Sequence, residues 1–243
     1  MTVLHYDLHP RLPIFPIFCQ TSLMRRFLAS MVLVVLLFPT FALGGEMNDL
    51  MTKDGLYYKN YYNIFIGVPF TGKVTGKEQG SFRNGKKDGP WVYYHDNGKL
   101  WKSGTFKDGK EDGPWVHYLE DGQLLMKGTY KDGKEDGPWF SYHDNGQLWW
   151  KRTYKDGERE GPYVFYHDNG QLWKKGNFKD DKKHGPWVGY HRNQQLREKG
   201  TYKDGKKDGS WVFYHSDGQK NFSRHQLGFH EGTGTYKDDV RVK

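Results

Sequence analysis

The chain has 243 residues and a formal net charge of +8, with 35% hydrophobic and 17% aromatic residues. So little hydrophobic material excludes a large enzyme with a deep core, and so many aromatics exclude an ordinary disordered linker. The 31 glycines do not recur every third position, which excludes a collagen-like chain. Basic residues are interleaved with acids, as in KDGKEDG at 107–113, the pattern of a solvated mixed-charge surface rather than a basic stripe.

In chain order, Met24-Arg25-Arg26 precedes an apolar run from Phe27 to Phe38, then Pro39 and the small-residue end Ala42-Leu43-Gly44. This is the three-part pattern of a secretory signal peptide, and its apolar core is short for a spanning helix of about 20 residues. Cleavage is expected near Gly44–Gly45, giving an exported chain, periplasmic or secreted. Residues 1–23 then read as an upstream extension and Met24 as the true start. Cys19 is the single cysteine and precedes the cleavage point, so the mature chain has no disulfide, Cys metal site or Cys nucleophile.

Residues 45–79 read as an N-terminal cap with irregular strands, carrying Gly55-Leu56-Tyr57-Tyr58 and Pro69-Phe70-Thr71-Gly72-Lys73. A repeat follows. Gly89-Pro90-Trp91, Gly113-Pro114-Trp115, Gly137-Pro138-Trp139, Gly161-Pro162-Tyr163, Gly185-Pro186-Trp187 and Gly209-Ser210-Trp211 are spaced 24 residues apart every time. Six units therefore fill 80–223.

Each unit reads as two strands. Trp115-Val116-His117-Tyr118 is the first; a turn at Glu120-Asp121-Gly122, elsewhere Asp-Asn-Gly, leads to the second, Gln123 to Tyr130. Asn-Gly between apolar runs is a strong hairpin signal, because both residues tolerate positive φ. A longer turn, Lys131 to Gly137, joins the next unit, whose first strand Pro138 opens. Alternation puts Trp91 and Tyr93 on one face and Val92 and Tyr94 on the other. It also groups Leu100 with Gly104 and Phe106, and Leu124 with Gly128 and Tyr130. Both faces carry aromatics and no helix-length amphipathic stretch follows residue 45, so the aromatic ladders must be the core. The fold class expected is all-β: an elongated single-layer antiparallel meander of 24-residue hairpin repeats. Residues 224–243 read as an insert, 224–231, and a degenerate capping repeat around Gly232-Thr233-Gly234-Thr235-Tyr236.

The segments LYY and PFTG, with the recurring G-x-[FY]-x-[DN]-G-K-x-[DE]-G-x-[WY]-x-x-[YF], resemble the bacterial MORN repeat variant family over about 50–238. The resemblance implies a scaffold of β-hairpins that makes protein–protein or membrane–lipid contacts. Several members are labelled antitoxin components of toxin–antitoxin systems, a role that suits an exported chain poorly.

Chemistry-bearing residues mostly obey the repeat. His95, His143, His167, His191 and His215 share one unit position; neighbouring copies lie two strands, about 9.6 Å, apart, too far to share one metal ion. The loop from Asp108 fails the EF-hand pattern, with Lys110 at the third position and Leu119 at the twelfth. Asp112, Asp136, Glu160 and Asp208 recur in wet turns, and no nucleophile elbow, Walker loop or dinucleotide fingerprint is present. The chain is expected to be non-enzymatic, with no cofactor and no metal.

The less regular feature is Trp149-Trp150 with Trp173. Trp101, Trp149 and Trp173 share a unit position that elsewhere holds Leu125 and Arg197. With Lys102, Lys151, Lys174 and Lys175 they form a candidate aromatic–basic binding surface. The leading reading is a scaffold that binds another protein along this sheet face. The alternatives are an envelope module for glycan or anionic lipid, and an antitoxin-like inhibitor. Nucleic acid does not suit an exported chain.

Overall fold

The computed structural model describes residues 45–60, 67–221 and 232–243. The signal-like segment 1–44 and the insert 224–231 lie outside the described residues. Everything described belongs to one unit, Leu43–Lys243. It is all-β: a 19-stranded sheet and a two-stranded sheet, with one 3-10 turn at Met47–Asp49 among the described residues.

Antiparallel hairpins of one kind build the large sheet. Gly89–Tyr94 pairs with Leu100–Lys107, Gly113–Tyr118 with Leu124–Lys131, and Gly137–Tyr142 with Leu148–Lys155. Glu158–Tyr166 pairs with Leu172–Lys179, and Lys182–Tyr190 with Leu196–Lys203. Lys206–Phe213 pairs with Gly234–Lys237, Trp211 opposite Gly234 as Trp91 is opposite Gly104. Before the array, Gly45–Glu46 runs parallel to Gly72–Thr75, which pairs with Glu78–Arg83.

The two turns of a unit differ from the expectation. In the Asp-Asn-Gly turn only the glycine takes positive φ, 79° at Gly98. The His95 N–H donates to the Lys99 carbonyl at 2.8 Å, and the Asn97 Oδ1 accepts the Lys99 N–H at 2.9 Å. This is a three-residue loop built on a type I turn. The tight two-residue hairpin lies in the stretch expected to be one long turn. Asp108 and Gly109 both take positive φ, 51° and 85°, and Lys107 faces Lys110 directly. That mirror-image turn suits strand twist, and Asp tolerates the left-handed region.

A bulge in each of the first five hairpins overturns part of the alternation. Tyr93 faces Lys102 but Tyr94 faces Leu100, leaving Trp101 unopposed. Leu100 therefore lies opposite Tyr94, on the other face from Gly104 and Phe106; Leu124, opposite Tyr118, is separated from Gly128 and Tyr130 the same way. The extra residue, Trp101, turns toward Tyr93, ring centroids 6.3 Å apart.

The core also proves one-sided. Trp91, Trp115, Trp139, Trp187 and Trp211 are buried with Phe82, Phe106, Phe165 and Phe178, whereas Val92 and Tyr94 of the opposite face stay half-exposed. Each of these tryptophans lies flat on a glycine of the preceding strand: Gly80, Gly104, Gly128, Gly176 and Gly200, where a Cβ would overlap the indole. The indole N–H then reaches a backbone carbonyl ten residues upstream, Trp91 to Ser81 at 3.1 Å and Trp211 to Thr201 at 3.0 Å. The rings of the next row stand edge-on, Phe106–Trp115 at 5.3 Å and 88°, Tyr202–Trp211 at 4.9 Å and 78°. Each such contact adds about 0.5–1.5 kcal/mol beyond area burial. A single-layer sheet can hold together on one face because glycine lets the largest side chain lie against backbone.

Candidate functional site

Regular polar rows come first, because they account for most of the chemistry-bearing residues. The Nε2 of His95, His143 and His191 bonds the carbonyl of Tyr118, Tyr166 and Tyr214 in the following unit, at 3.0, 3.1 and 2.9 Å. A carbonyl only accepts, so the nitrogen donates and its tautomer is set. Asn97 and Asn193 donate across units in the same way, each at 2.8 Å. At the other edge the Gly109 N–H donates to the Lys87 carbonyl and Gly133 to Glu111, at 2.9 and 2.8 Å. These rows are rungs between repeats. Among the described residues no three His, Cys, Asp or Glu side chains gather to hold a metal ion.

One unit breaks the rule that builds the core. Where every other unit pairs glycine with tryptophan, the fourth carries Arg152 opposite Tyr163. The smaller ring leaves the space that the arginine fills. Its guanidinium lies over Trp150 at 4.0 Å, Tyr163 at 5.2 Å and Phe165 at 5.3 Å. Arg152 Nη1 reaches the Tyr154 hydroxyl at 3.5 Å, while Arg152 Nε is buried without a hydrogen-bond partner. Burial holds the Tyr163 phenol above its usual range, against the opposing pull of Arg152 and Arg159.

Around this arginine the aromatic face opens to solvent. Trp149, 39% exposed, stands edge-on to Phe165 at 6.2 Å and lies against His143 at 5.7 Å. Trp173 takes the other side of Phe165 at 5.9 Å and packs on His167 at 5.6 Å. The two indoles, with Tyr166, Asp168 and Arg192, line a shallow groove of about 310 Å³. The Lys174 Nζ sits over Trp173 at 4.4 Å and Phe165 at 4.9 Å. Burial lowers its pKa below the usual lysine range, and the neighbouring Lys183, Arg197 and Arg152 add to the effect.

The eight candidate residues are thus distributed over three places. Trp149, Trp173 and Lys174 share the groove region, and Trp150 lies beneath it in the core at 6% exposure. Trp101 and Lys102 sit two units away, beside Tyr93 and Lys87, in a separate groove of about 570 Å³. Lys151 and Lys175 point to the opposite face, paired with Phe140 and Val164. Arg152 and Phe165 were missed as site residues. The signal for Arg152 was present: it stands alone among Gly80, Gly104, Gly128, Gly176 and Gly200, and its partner alone replaces Trp with Tyr.

A one-sided ribbon of repeated hairpins, many of its polar groups spent on rungs between units, defines the class: a repeat-protein scaffold. The family model described as MORN repeat variant matches residues 87–108, 111–132, 135–156, 159–180 and 183–204, five units in phase. Residues 87–204 are thus an array of MORN repeats. That description names the repeat and carries no toxin–antitoxin role. No curated protein matches the chain. Among solved structures, a chain of the "GtfA/B complex bound to UDP and GlcNAc" is 12% identical, covered over 72% of this chain and 37% of its own length, with a TM-score of 0.18. The present chain thus spans little more than a third of that one, and so low a TM-score bears on neither fold detail nor partner.

Proposed function

We propose that this is an exported scaffold that binds another protein along the aromatic face, centred on Trp149, Arg152 and Trp173. One observation carries the reading. The Gly–Trp pairing that builds the core is abandoned in a single unit, and beside that unit lie the exposed indole of Trp149 and a half-buried cation with an unsatisfied nitrogen. An unsatisfied buried donor costs about 1–3 kcal/mol, so a site that keeps one is a reasonable place for a partner to supply the acceptor. Exposed tryptophan flanked by arginine is also the composition of interface hot spots. Export rests on the signal-like segment at 24–44.

The test is crosslinking in the native host with a tagged full-length chain, followed by mass spectrometry of the mature N-terminus and of trapped species. A start near Gly45 and one specific protein, lost in Trp149→Ala/Trp173→Ala, is the expected result. A processed chain that traps no protein but binds protease-treated envelopes would move the function to glycan or lipid.

A further inference from the structure

The aromatic face is not uniform in charge. Its charged positions up to Ser141 are Lys77, Lys87 and Lys102 against Glu78, Glu111 and Glu135, three of each sign. From Trp149 to Phe213 its strands carry Arg152, Arg159, Lys174, Lys183, Arg197 and Lys207 against Glu198, and at the turns Asp181 pairs with Arg159 and Asp168 with Arg192. The excess is seated among rings. Arg159 lies over Phe178 at 4.3 Å, Lys183 over Tyr202 at 4.6 Å and Trp187 at 5.0 Å, and Lys207 over Phe213 at 5.0 Å. Lys207 is itself buried beneath the last strands. The Arg159–Asp181 pair, 2.7 Å, is 37% and 48% exposed; such a pair is worth little in water and can exchange its carboxylate for a partner's.

The accessible cations repeat with the array. Arg159 and Lys183 occupy one position in successive units, continued by the buried Lys207, while Arg197 at the bulge edge pairs with Glu198 at 2.7 Å. One unit is two strands, about 9.6 Å. An α-helical turn advances about 5.4 Å, and same-face residues of a β-strand recur at about 6.6 Å. A polyproline-II turn takes three residues and advances about 9.3 Å, closer to one unit than two α-helical turns at about 10.8 Å. Aromatic grooves also suit this helix because it is pre-extended and loses little entropy on binding. Resting on the protein-binding reading above, we infer that the face from Trp149 to Phe213 takes an acidic polyproline-II segment of a partner protein, with a carboxylate at every third residue. A membrane surface fits less well, because Arg152 and Lys174 are recessed among the rings, within reach of an acidic side chain but not of a flat headgroup layer.

The experiment titrates the full-length chain, followed by tryptophan fluorescence, with three probes: a peptide of Glu-Pro-Pro triplets, a peptide of the same composition with its glutamates in one block, and Lys-Pro-Pro triplets. The Glu-Pro-Pro peptide is expected to bind about tenfold tighter than the blocked one, more weakly as salt rises, while the lysine peptide does not bind. Lys183→Glu and the milder Arg159→Gln should each weaken binding about tenfold, with Lys199→Glu on the opposite face without effect and circular dichroism confirming that each variant folds. Equal affinity for the two acidic peptides, or binding insensitive to Lys183→Glu, overturns the inference. So does failure of the triplet peptide alongside charge-dependent binding to anionic phosphatidylserine vesicles. The crosslinking experiment is independent: a trapped partner lost in Trp149→Ala/Trp173→Ala, with no preference for acidic triplets, would keep the scaffold reading and remove only this one.

Discussion

The two halves of the aromatic face obey different constraints. Through Ser141 the Gly–Trp pairing is unbroken and charges cancel; from Trp149 onward a unit replaces the pair with Arg152 and Tyr163, and positive charge accumulates. Both halves form the same hairpins in the same register. The hairpin therefore does not require the Gly–Trp pair in every unit. A repeat array tolerates one altered unit because each unit contacts only its neighbours, and this freedom is what lets a scaffold carry a site.

The comparison can be broken most severely at the pair itself. Trp115→Ala should destabilise the array by about 3–5 kcal/mol, the usual cost of truncating a buried large aromatic; chemical denaturation followed by circular dichroism measures it. Gly128→Ala adds a Cβ where the Trp139 indole lies, and overpacking of this kind costs about 1–3 kcal/mol. Arg152→Gly, the same position one unit later, should cost less than about 1 kcal/mol, because it removes an unsatisfied buried donor along with its ring contacts. Equal losses at Gly128 and Arg152 would show that the fourth unit is no exception.

Alkaline pH gives a further effect in the N-terminal half. Burial, with Glu135 and Glu111 nearby, pushes the Tyr130 phenol from 10.0 to about 12. The folded chain keeps that proton after the unfolded chain has lost it. Stability is therefore complete below pH 10.0 and declines as pH rises toward about 12. After allowance for solvent screening the loss is about 1–2 kcal/mol, and Tyr130→Phe should remove it from the pH profile. A single rung is also a small effect: His143→Ala deletes one bond to the Tyr166 carbonyl, worth about 0.5–1.5 kcal/mol, visible as a lowered melting temperature.

Much of this protein was legible in order of residues alone. The 24-residue period, the strand-pair content of each unit and the all-β class follow from spacing, because a hairpin unit must restate its turn and core residues each time. The Gly and Trp of each unit were visible, but their contact was not, since they lie on different strands and only pairing brings the indole over the backbone. The turn types were exchanged for a related reason: Asn-Gly and Asp-Gly both permit positive φ, and strand twist decides which of them closes on two residues.

The candidate site was read least completely. Trp149 and Trp173 were singled out by their shared unit position, yet a bulge, invisible to a period-of-two reading, turns them onto the core face. The same alternation that groups lysines by proximity in sequence sends Lys151 and Lys175 to the other side. Sequence alone determined what repeats, because local hydrogen bonding and side-chain period are properties of the segment itself. Tertiary structure decided which face is buried, which indoles stay exposed and where positive charge gathers, because those depend on register between strands that the chain meets only after folding.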